Sequence, residues 1–291
     1  MKPPPFSYHD PRTVADAVGL LATLENAKVL AGGQSLMPML NMRFVLPDHV
    51  IDLNRIDGLS YIRDSGDSLD IGAMTRQREI EFSDVVRVRC PLMREAILNV
   101  GHRQTRNRGT LGGSLCHLDP SAELVLVAAA MDAVVTIAGR SGERAVAFAD
   151  FPQAYMTPAV GQDELLTNVQ FPLWPAGHGH AFIEFARRHG DFAIASAAAL
   201  LHEDSSGRIA KASIAVGGVG AAPVRVTEIE RAVIGQRASA DLFRDACEAC
   251  RRIDAMEDVH ASSSYRQHLA AVLSRRALET AHGRVLKGTS R

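Results

Sequence analysis

Two short turns, Ala31-Gly32-Gly33-Gln34-Ser35 and Thr110-Leu111-Gly112-Gly113-Ser114, hold residue types suited to gripping an anion. Paired glycines let backbone N–H groups come close to a ligand, and the hydroxyls beside them can donate to it. Arg103, Arg106 and Arg108 precede the second turn, and Cys116-His117-Leu118-Asp119-Pro120-Ser121-Ala122-Glu123 follows it. The chemistry on offer suits a nucleotide: N–H groups and cations for a pyrophosphate, and a carboxylate for sugar hydroxyls. Plainer readings stand beside this one. Ser35 and Ser114 could simply close local turns, Glu123 could be a helix-start carboxylate favoured by the macrodipole, and the three arginines could form a solvated face.

Other reactive-looking residues carry less. His117 and Asp119 are two ligands where a metal site needs more. Cys247-Glu248-Ala249-Cys250 has the spacing of a redox or metal half-site, but it falls in a helical stretch, Leu242 to Arg252, with no second pair, so packing thiols are expected. His178 and His180 flank a glycine in a linker and are expected to be solvated. Gly217-Gly218-Val219-Gly220-Ala221-Ala222-Pro223 lacks the third glycine of a dinucleotide fingerprint and has Pro223 where a helix would start, so it reads as a hairpin or turn.

Short alternating strands and helices must position the two turns. The first turn follows an apolar strand, Lys28-Val29-Leu30, and leads into Leu36-Met37-Pro38-Met39-Leu40. Thr13 caps a helix whose Val14, Ala17, Val18 and Leu21 share a face, with Asp16 completing a capping-box variant. Ser68 to Ile71 and Ala133 to Ile137 read as strands, Pro91 to Val100 as a helix, and Leu124 to Met131 as a buried helix. Pro172 to Gly179 is the best boundary, because its prolines and glycines break both periodicities. Beyond it come strands near Ala193 to Leu201 and Lys211 to Val216. Ser264 with Gln267 then suggests a capping box before Leu269, Val272 and Leu273, with Arg275 and Arg276 near the helix's negative end.

Bulk properties narrow the partners. At 291 residues the chain can bury a large core and form two domains. A formal charge of −1 offers no basic field for nucleic acid or an anionic membrane. The longest apolar run, Leu124 to Met131, is far short of the roughly 20 residues of a membrane span. Met1 to Phe6 lacks the apolar stretch of a signal peptide, and four scattered cysteines suit a reducing compartment, so a cytoplasmic location is expected. Those cysteines cannot supply plant-type iron–sulfur ligation.

Several runs, taken in order, resemble one family. They are Ala31-Gly32-Gly33-Gln34-Ser35-Leu36 with Pro38, Leu40, Arg43 and Ile51-Asp52-Leu53; Ile71-Gly72-Ala73-Met74-Thr75; and Arg106-Asn107-x-Gly109-Thr110-x-Gly112-Gly113-Ser114 with Pro120 and Glu123. Arg187-Arg188-x-Gly190-Asp191-Phe192-Ala193, Gly217-Gly218-Val219 with Pro223-Val224-Arg225, and Tyr265-Arg266-x-His268-Leu269 continue the series. Together, from about Phe6 to Leu278, the chain resembles the flavin-binding medium subunit of molybdenum hydroxylases, the family of carbon monoxide, xanthine and quinoline dehydrogenases.

The resemblance implies an α+β protein. A two-part, vanillyl-alcohol-oxidase-like FAD-binding domain would span 1–175, as a small α/β unit (1–58) and a larger mixed unit (59–175). A C-terminal α+β domain of the molybdenum hydroxylase flavoprotein type would span 178–291. On the resemblance, Ala31, Gly32, Gly33, Gln34, Ser35 and Leu36 clasp one side of an FAD diphosphate, and Thr110, Gly112, Gly113 and Ser114 clasp the other. Glu123, one methylene longer than the commoner Asp, would bond the adenosine ribose, while Cys116 and His117 would line the adenine side. Leu166, ending its strand, would give apolar contact, and Gly101 and Asp191 would lie close to the isoalloxazine. A molybdopterin-binding large subunit and a 2Fe-2S small subunit are implied as partners, in a dimer of heterotrimers. The FAD would collect electrons from the 2Fe-2S clusters for an outside acceptor. A stand-alone FAD oxidase of the vanillyl-alcohol type and a flavin-free scaffold are the alternatives.

Overall fold

A computed structural model describes residues 1–288, whose strands form three larger sheets and one two-stranded hairpin among helices. The first unit comprises β1 (Ser7–His9), α1 (Val14–Thr23), β2 (Ala27–Leu30), α2 (Leu36–Asn41) and β3 (His49–Asp52). Its parallel sheet has the order β1-β3-β2, with Leu30 opposite Asp52. Thr13 caps α1 as expected: its hydroxyl oxygen accepts the Asp16 N–H at 3.0 Å, and Ala17, Val18 and Leu21 are buried.

The second unit opens with β4 (Ile62–Asp64), β5 (Ser68–Gly72) and the short helices α3 (Gln77–Phe82), α4 (Asp84–Arg89) and α5 (Pro91–Ala96). It continues through α6 (Arg103–Arg108), α7 (Leu111–His117) and α8 (Glu123–Ala130) to β6 (Val134–Gly139) and β7 (Gly142–Ala147). A small hairpin, β8 (Pro152–Ala154) with β9 (Thr157–Pro158), precedes β10 (Leu165–Pro172). The antiparallel sheet runs β4-β5-β10-β6-β7. The expected helix over Pro91 to Val100 stops at Ala96. Its last residues form tighter turns, Asn99 N–H to Ala96 and Val100 N–H to Ile97, that lead into Gly101 at φ +45°.

The third unit is an antiparallel sheet of β11 (Gly179–Phe185), β12 (Ala195–Glu203), β13 (Ile209–Gly217) and β14 (Val224–Arg225), followed by α9 (Thr227–Val233), α10 (Ala240–Cys247) and α11 (Ser263–Gly288). Gly217 to Pro223 forms the turn between β13 and β14, as its composition suggests. Residues 173–178 join this sheet to β10. The helix expected over Leu242 to Arg252 divides into α10 and a 3-10 run, Glu248–Arg252.

The capping box expected at Ser264 and Gln267 does not form. The helix starts two residues earlier, at Ser263, the Ser262 hydroxyl oxygen accepts the Tyr265 N–H, and the Gln267 amide donates to the Ile253 carbonyl at 2.7 Å. Arg275 and Arg276 therefore sit in mid-helix, well before Gly288.

Helix α8 explains how the units cohere. Almost every side chain from Glu123 to Ala130 is buried, a pattern that only a helix covered on all sides can sustain. The core around it draws Val135, Ile137 and Val169 from the second sheet, and Phe182, Ala198, Leu200 and Ala215 from the third. The face of the third sheet that turns away from α8 packs on α11 through Ala197, Ala199, Leu201, Ala270, Ala277 and Ala281. Small residues on both surfaces allow that close approach, and a Cβ at Gly179 would overlap the Ala281 carbonyl.

Candidate functional site

The two glycine turns meet. Gly32 lies against the backbone of Arg108 and Gly109, where a Cβ would overlap the Arg108 carbonyl, and a Cβ at Gly113 would lie 3.5 Å from that of Ala31. Beside this junction is a cleft of about 370 Å³ lined by Leu30, Ala31, Gly32, Gly33, Gln34, Met37, Pro38, Asp52, Asn54 and Arg108.

The first turn carries unused donors at the cleft, which Gly32, Gly33 and Gln34 line while Ser35 and Leu36 stand just outside its lining. Among the described residues, the N–H groups of Gly32, Gly33, Gln34 and Ser35 have no acceptor. The Ser35 hydroxyl, at the start of α2, makes no capping bond, so its local-turn reading does not hold. Gly33 adopts φ +74°, which favours glycine. Leu36 begins α2. A cluster of unmet N–H groups beside an arginine is what an anionic ligand would complete.

The second turn does a different job from the one expected of it. Leu111 N–H donates to Thr75, Gly112 N–H to Ala73 at 2.8 Å, and Ser114 N–H to the Thr110 carbonyl. Gly113 N–H goes to the Thr110 hydroxyl at 3.1 Å. None of these N–H groups is free for a diphosphate, and the buried Thr110 side chain serves as a helix cap. Gly112 is glycine because a Cβ there would come within 2.7 Å of that of Ala73. This turn thus braces the cleft, while Gly113, Ser114 and His117 remain partly exposed along one side of α7. Burial holds His117 below its ordinary value despite Asp119, and pushes the Cys116 thiol up to about 12.

The arginine cluster divides. Arg106 is buried, its Nε donating to Glu81 at 2.9 Å and its Nη1 to the Val100 carbonyl at 2.9 Å. It is therefore neither solvated nor free for an anion. Burial works against the Glu81 charge, but Arg106 and then Arg78 hold its carboxyl below the usual range. Arg108 lines the cleft and Arg103 is exposed.

Asn54 and Arg76 were not legible as site residues. The Asn54 amide donates to the Ala31 carbonyl at 2.9 Å, while Arg76 donates to Asn54 and to the Arg108 carbonyl. Together they tie the first turn to the end of α6. No local motif announces such a link, which spans three separate segments.

Glu123 and Leu166 are placed more deeply than the resemblance implies. Glu123 is only 6% exposed at the start of α8. Burial, with Glu184 and Asp119 adding, pushes its carboxyl up to about 8 against its own backbone N–H and Arg106. Leu166 stands near the start of β10, not its end, and its side chain lies in the main core. Neither residue lines the cleft.

Gly101 and Asp191 are brought to one place. The turn Arg188 to Asp191, closed by Asp191 N–H to the Arg188 carbonyl at 3.1 Å, packs on the residue after Gly101. Gly190, at φ +89°, touches the His102 ring so closely that a Cβ would lie 2.5 Å from it. Elsewhere, His180 is not solvated. It sits in β11 near Glu95, and burial, then Arg284, pulls it down to about 4. Cys247 and Cys250 are buried packing thiols, and burial raises both.

Comparisons with known proteins identify the family. The family described as the FAD binding domain in molybdopterin dehydrogenase matches residues 4–174, and the CO dehydrogenase flavoprotein C-terminal domain matches residues 180–281. The chain belongs to the FAD-binding medium subunits of the molybdenum hydroxylases.

It is 39% identical to the 6-hydroxypseudooxynicotine dehydrogenase complex subunit alpha of Paenarthrobacter nicotinovorans, over 97% of this chain and 96% of that protein. With the carbon monoxide dehydrogenase medium chain of Afipia carboxidovorans it shares 36% identity, over 98% and 99% of the two chains. A carbon monoxide dehydrogenase structure from Hydrogenophaga pseudoflava superposes with a TM-score of 0.94 at 34% identity, covering 98% of this chain and 99% of that one.

The residues present fit FAD, the cofactor of this domain. Unmet N–H groups at Gly32 to Ser35, a free hydroxyl and the Arg108 guanidinium form a donor set for a diphosphate.

Proposed function

We propose that this chain is the electron-transfer subunit of a molybdenum hydroxylase complex. When bound, FAD supplies the capacity to accept electrons singly and to pass them on in pairs. The chain's own residues hold it. Gly32, Gly33, Gln34 and Ser35 donate to the diphosphate, Arg108 balances its charge, and Ser114 and His117 border the ligand from α7. Gly101 and Asp191 flank the redox-active end. Chain 1–175 acts as the cofactor-binding domain and 178–291 as the C-terminal domain of the molybdenum hydroxylase flavoprotein type.

In this reading the electrons come from 2Fe-2S clusters on a small partner subunit, after a molybdopterin-binding large subunit has oxidised the substrate. They leave for an external acceptor. The assembly is a dimer of heterotrimers in the cytoplasm. No helix among the described residues is long and apolar enough to cross a membrane.

One observation supports this reading above the rest: the donor-lined cleft occurs in a chain aligned nearly end to end with medium subunits of such complexes. Purification through a tag on this chain tests it. Yellow protein that co-elutes with molybdenum- and iron-containing partners is expected. A chain that alone oxidises an alcohol, or that takes up no FAD, overturns it.

A further inference from the structure

A carboxylate lines a cleft whose other features suit an anion. Asp52, at the end of β3, borders it together with Arg108 and the first glycine turn, and a negative charge so near a diphosphate opposes binding. Its hydrogen bonds give it another task. Oδ1 accepts the Asn54 backbone N–H at 2.9 Å and also the Asn54 side-chain amide. Oδ2 accepts the Tyr8 hydroxyl, from β1, at 2.6 Å. Both oxygens are thus engaged with donors of the protein itself.

Asn54 is held on two sides. Its Nδ2 donates to the Ala31 carbonyl at 2.9 Å as well as to Asp52, and its Oδ1 accepts from Arg76. With an acceptor on one side and a cationic donor on the other, only one orientation of the amide satisfies every partner.

The consequence passes through the backbone. In a planar trans peptide the carbonyl and the next N–H point in opposite directions, so a hold on the one aims the other. The Gly32 carbonyl accepts the Gln34 amide at 3.4 Å, and the Gly33 carbonyl accepts the Met37 N–H at 3.1 Å. Those two holds are local. The Ala31 carbonyl is held from another segment, by Asn54, and the N–H across that peptide belongs to Gly32, the first of the open donors.

We propose that Asp52 is a positioning residue of the cofactor cleft: it fixes the Asn54 amide, which anchors the Ala31 carbonyl and thereby aims the Gly32 N–H at the diphosphate. This rests on the placing of the diphosphate at the first turn, given above. Asp52 acts through Asn54 and does not itself touch the ligand, which reconciles its charge with its place in the cleft.

The test uses the full chain freed of flavin. FAD affinity is read by flavin fluorescence, and binding of inorganic pyrophosphate by NMR of the Gly32 and Gly33 amides. Asp52→Ala is expected to weaken both about 10-fold, the loss of one hydrogen bond to a charged group. Charge alone has the opposite sign, since deleting a carboxylate would tighten the binding of an anion. Asp52→Asn, which keeps an acceptor for the Asn54 amide, is expected to restore binding. Asn54→Ala should lose as much as Asp52→Ala, and the double variant no more than either, because both changes break one link.

Unchanged or tighter binding in Asp52→Ala, or losses that multiply to about 100-fold in the double variant, overturn the positioning role alone. Weaker FAD binding with pyrophosphate binding intact assigns Asp52 to another part of the nucleotide and also overturns it. If Asp52→Ala does not fold, Asn54→Ala reads the same link, and unchanged pyrophosphate binding there overturns the proposal. A wild-type chain that takes up no FAD, or whose Gly32 and Gly33 amides do not respond to pyrophosphate, overturns the cofactor site and the positioning role together.

Discussion

Gly32 and Arg108 touch backbone to backbone, and that contact seats the first glycine turn on the end of α6. Every atom beyond Cα at position 32 would compete with the Arg108 carbonyl for the same space. The Arg108 carbonyl is also held by Arg76, so it cannot easily move aside.

Gly32→Ala is therefore expected to lose FAD and to destabilise the chain by about 1–3 kcal/mol through overpacking. The ratio of flavin to protein absorbance and a thermal melt would check both, and normal flavin content would refute the site. Gly113→Val would, from the sequence alone, be expected to expel FAD and leave folding intact. The structure changes that outcome, because a Cβ at Gly113 would lie 2.7 Å from the Thr110 hydroxyl that caps α7. Flavin loss should come with lost stability.

Ser35→Ala removes a hydroxyl that has no partner in the protein itself. The flavin-free chain should melt within about 0.5 kcal/mol of wild type. FAD affinity should fall about 10-fold or more, the value of a hydrogen bond to a charged group. A flavin fluorescence titration would measure it, and unchanged affinity would remove Ser35 from the site.

Arg106→Ala leaves Glu81 buried without its main partner and is expected to cost about 3–5 kcal/mol. The Glu81 carboxyl is held below its ordinary value of 4.5 in the folded chain. Its contribution is therefore present above about pH 4.5 and is lost as pH falls through the folded value. Urea unfolding at several pH values should show this acid-side loss in wild type and a smaller one in the variant.

Glu123 has the opposite sign. Its folded value is raised to about 8 from 4.5, so stability is full below about pH 4.5, declines as pH rises, and is lost above about 8. Glu123→Gln should flatten that decline in the flavin-free chain and stabilise it at pH 8.5 by on the order of a few kcal/mol. Parallel pH profiles for the two proteins would show that Glu123 is not the group responsible.

Much of this protein was legible in its sequence because the signals are local. Thr13 and Asp16 announce the start of α1 within one turn of chain, and the apolar run from Leu124 to Met131 marks a helix buried on all sides. The glycine runs and their flanking residues indicated the cofactor and the family. Where neighbours in sequence competed, local reading failed: Ser262, not Ser264, caps α11, because the Gln267 amide is drawn to the distant Ile253 carbonyl.

Only the tertiary structure decided which of these residues are free to act. The two glycine turns look alike as strings, yet the N–H groups of the second are met by Ala73, Thr75 and Thr110, while those of the first stay open. Arg106 and Arg108 are two residues apart, but one is sealed against Glu81 and the other faces the cleft. The difference is physical. Whether a donor or a charge is available depends on what the fold packs against it, and those partners come from segments that no local pattern connects.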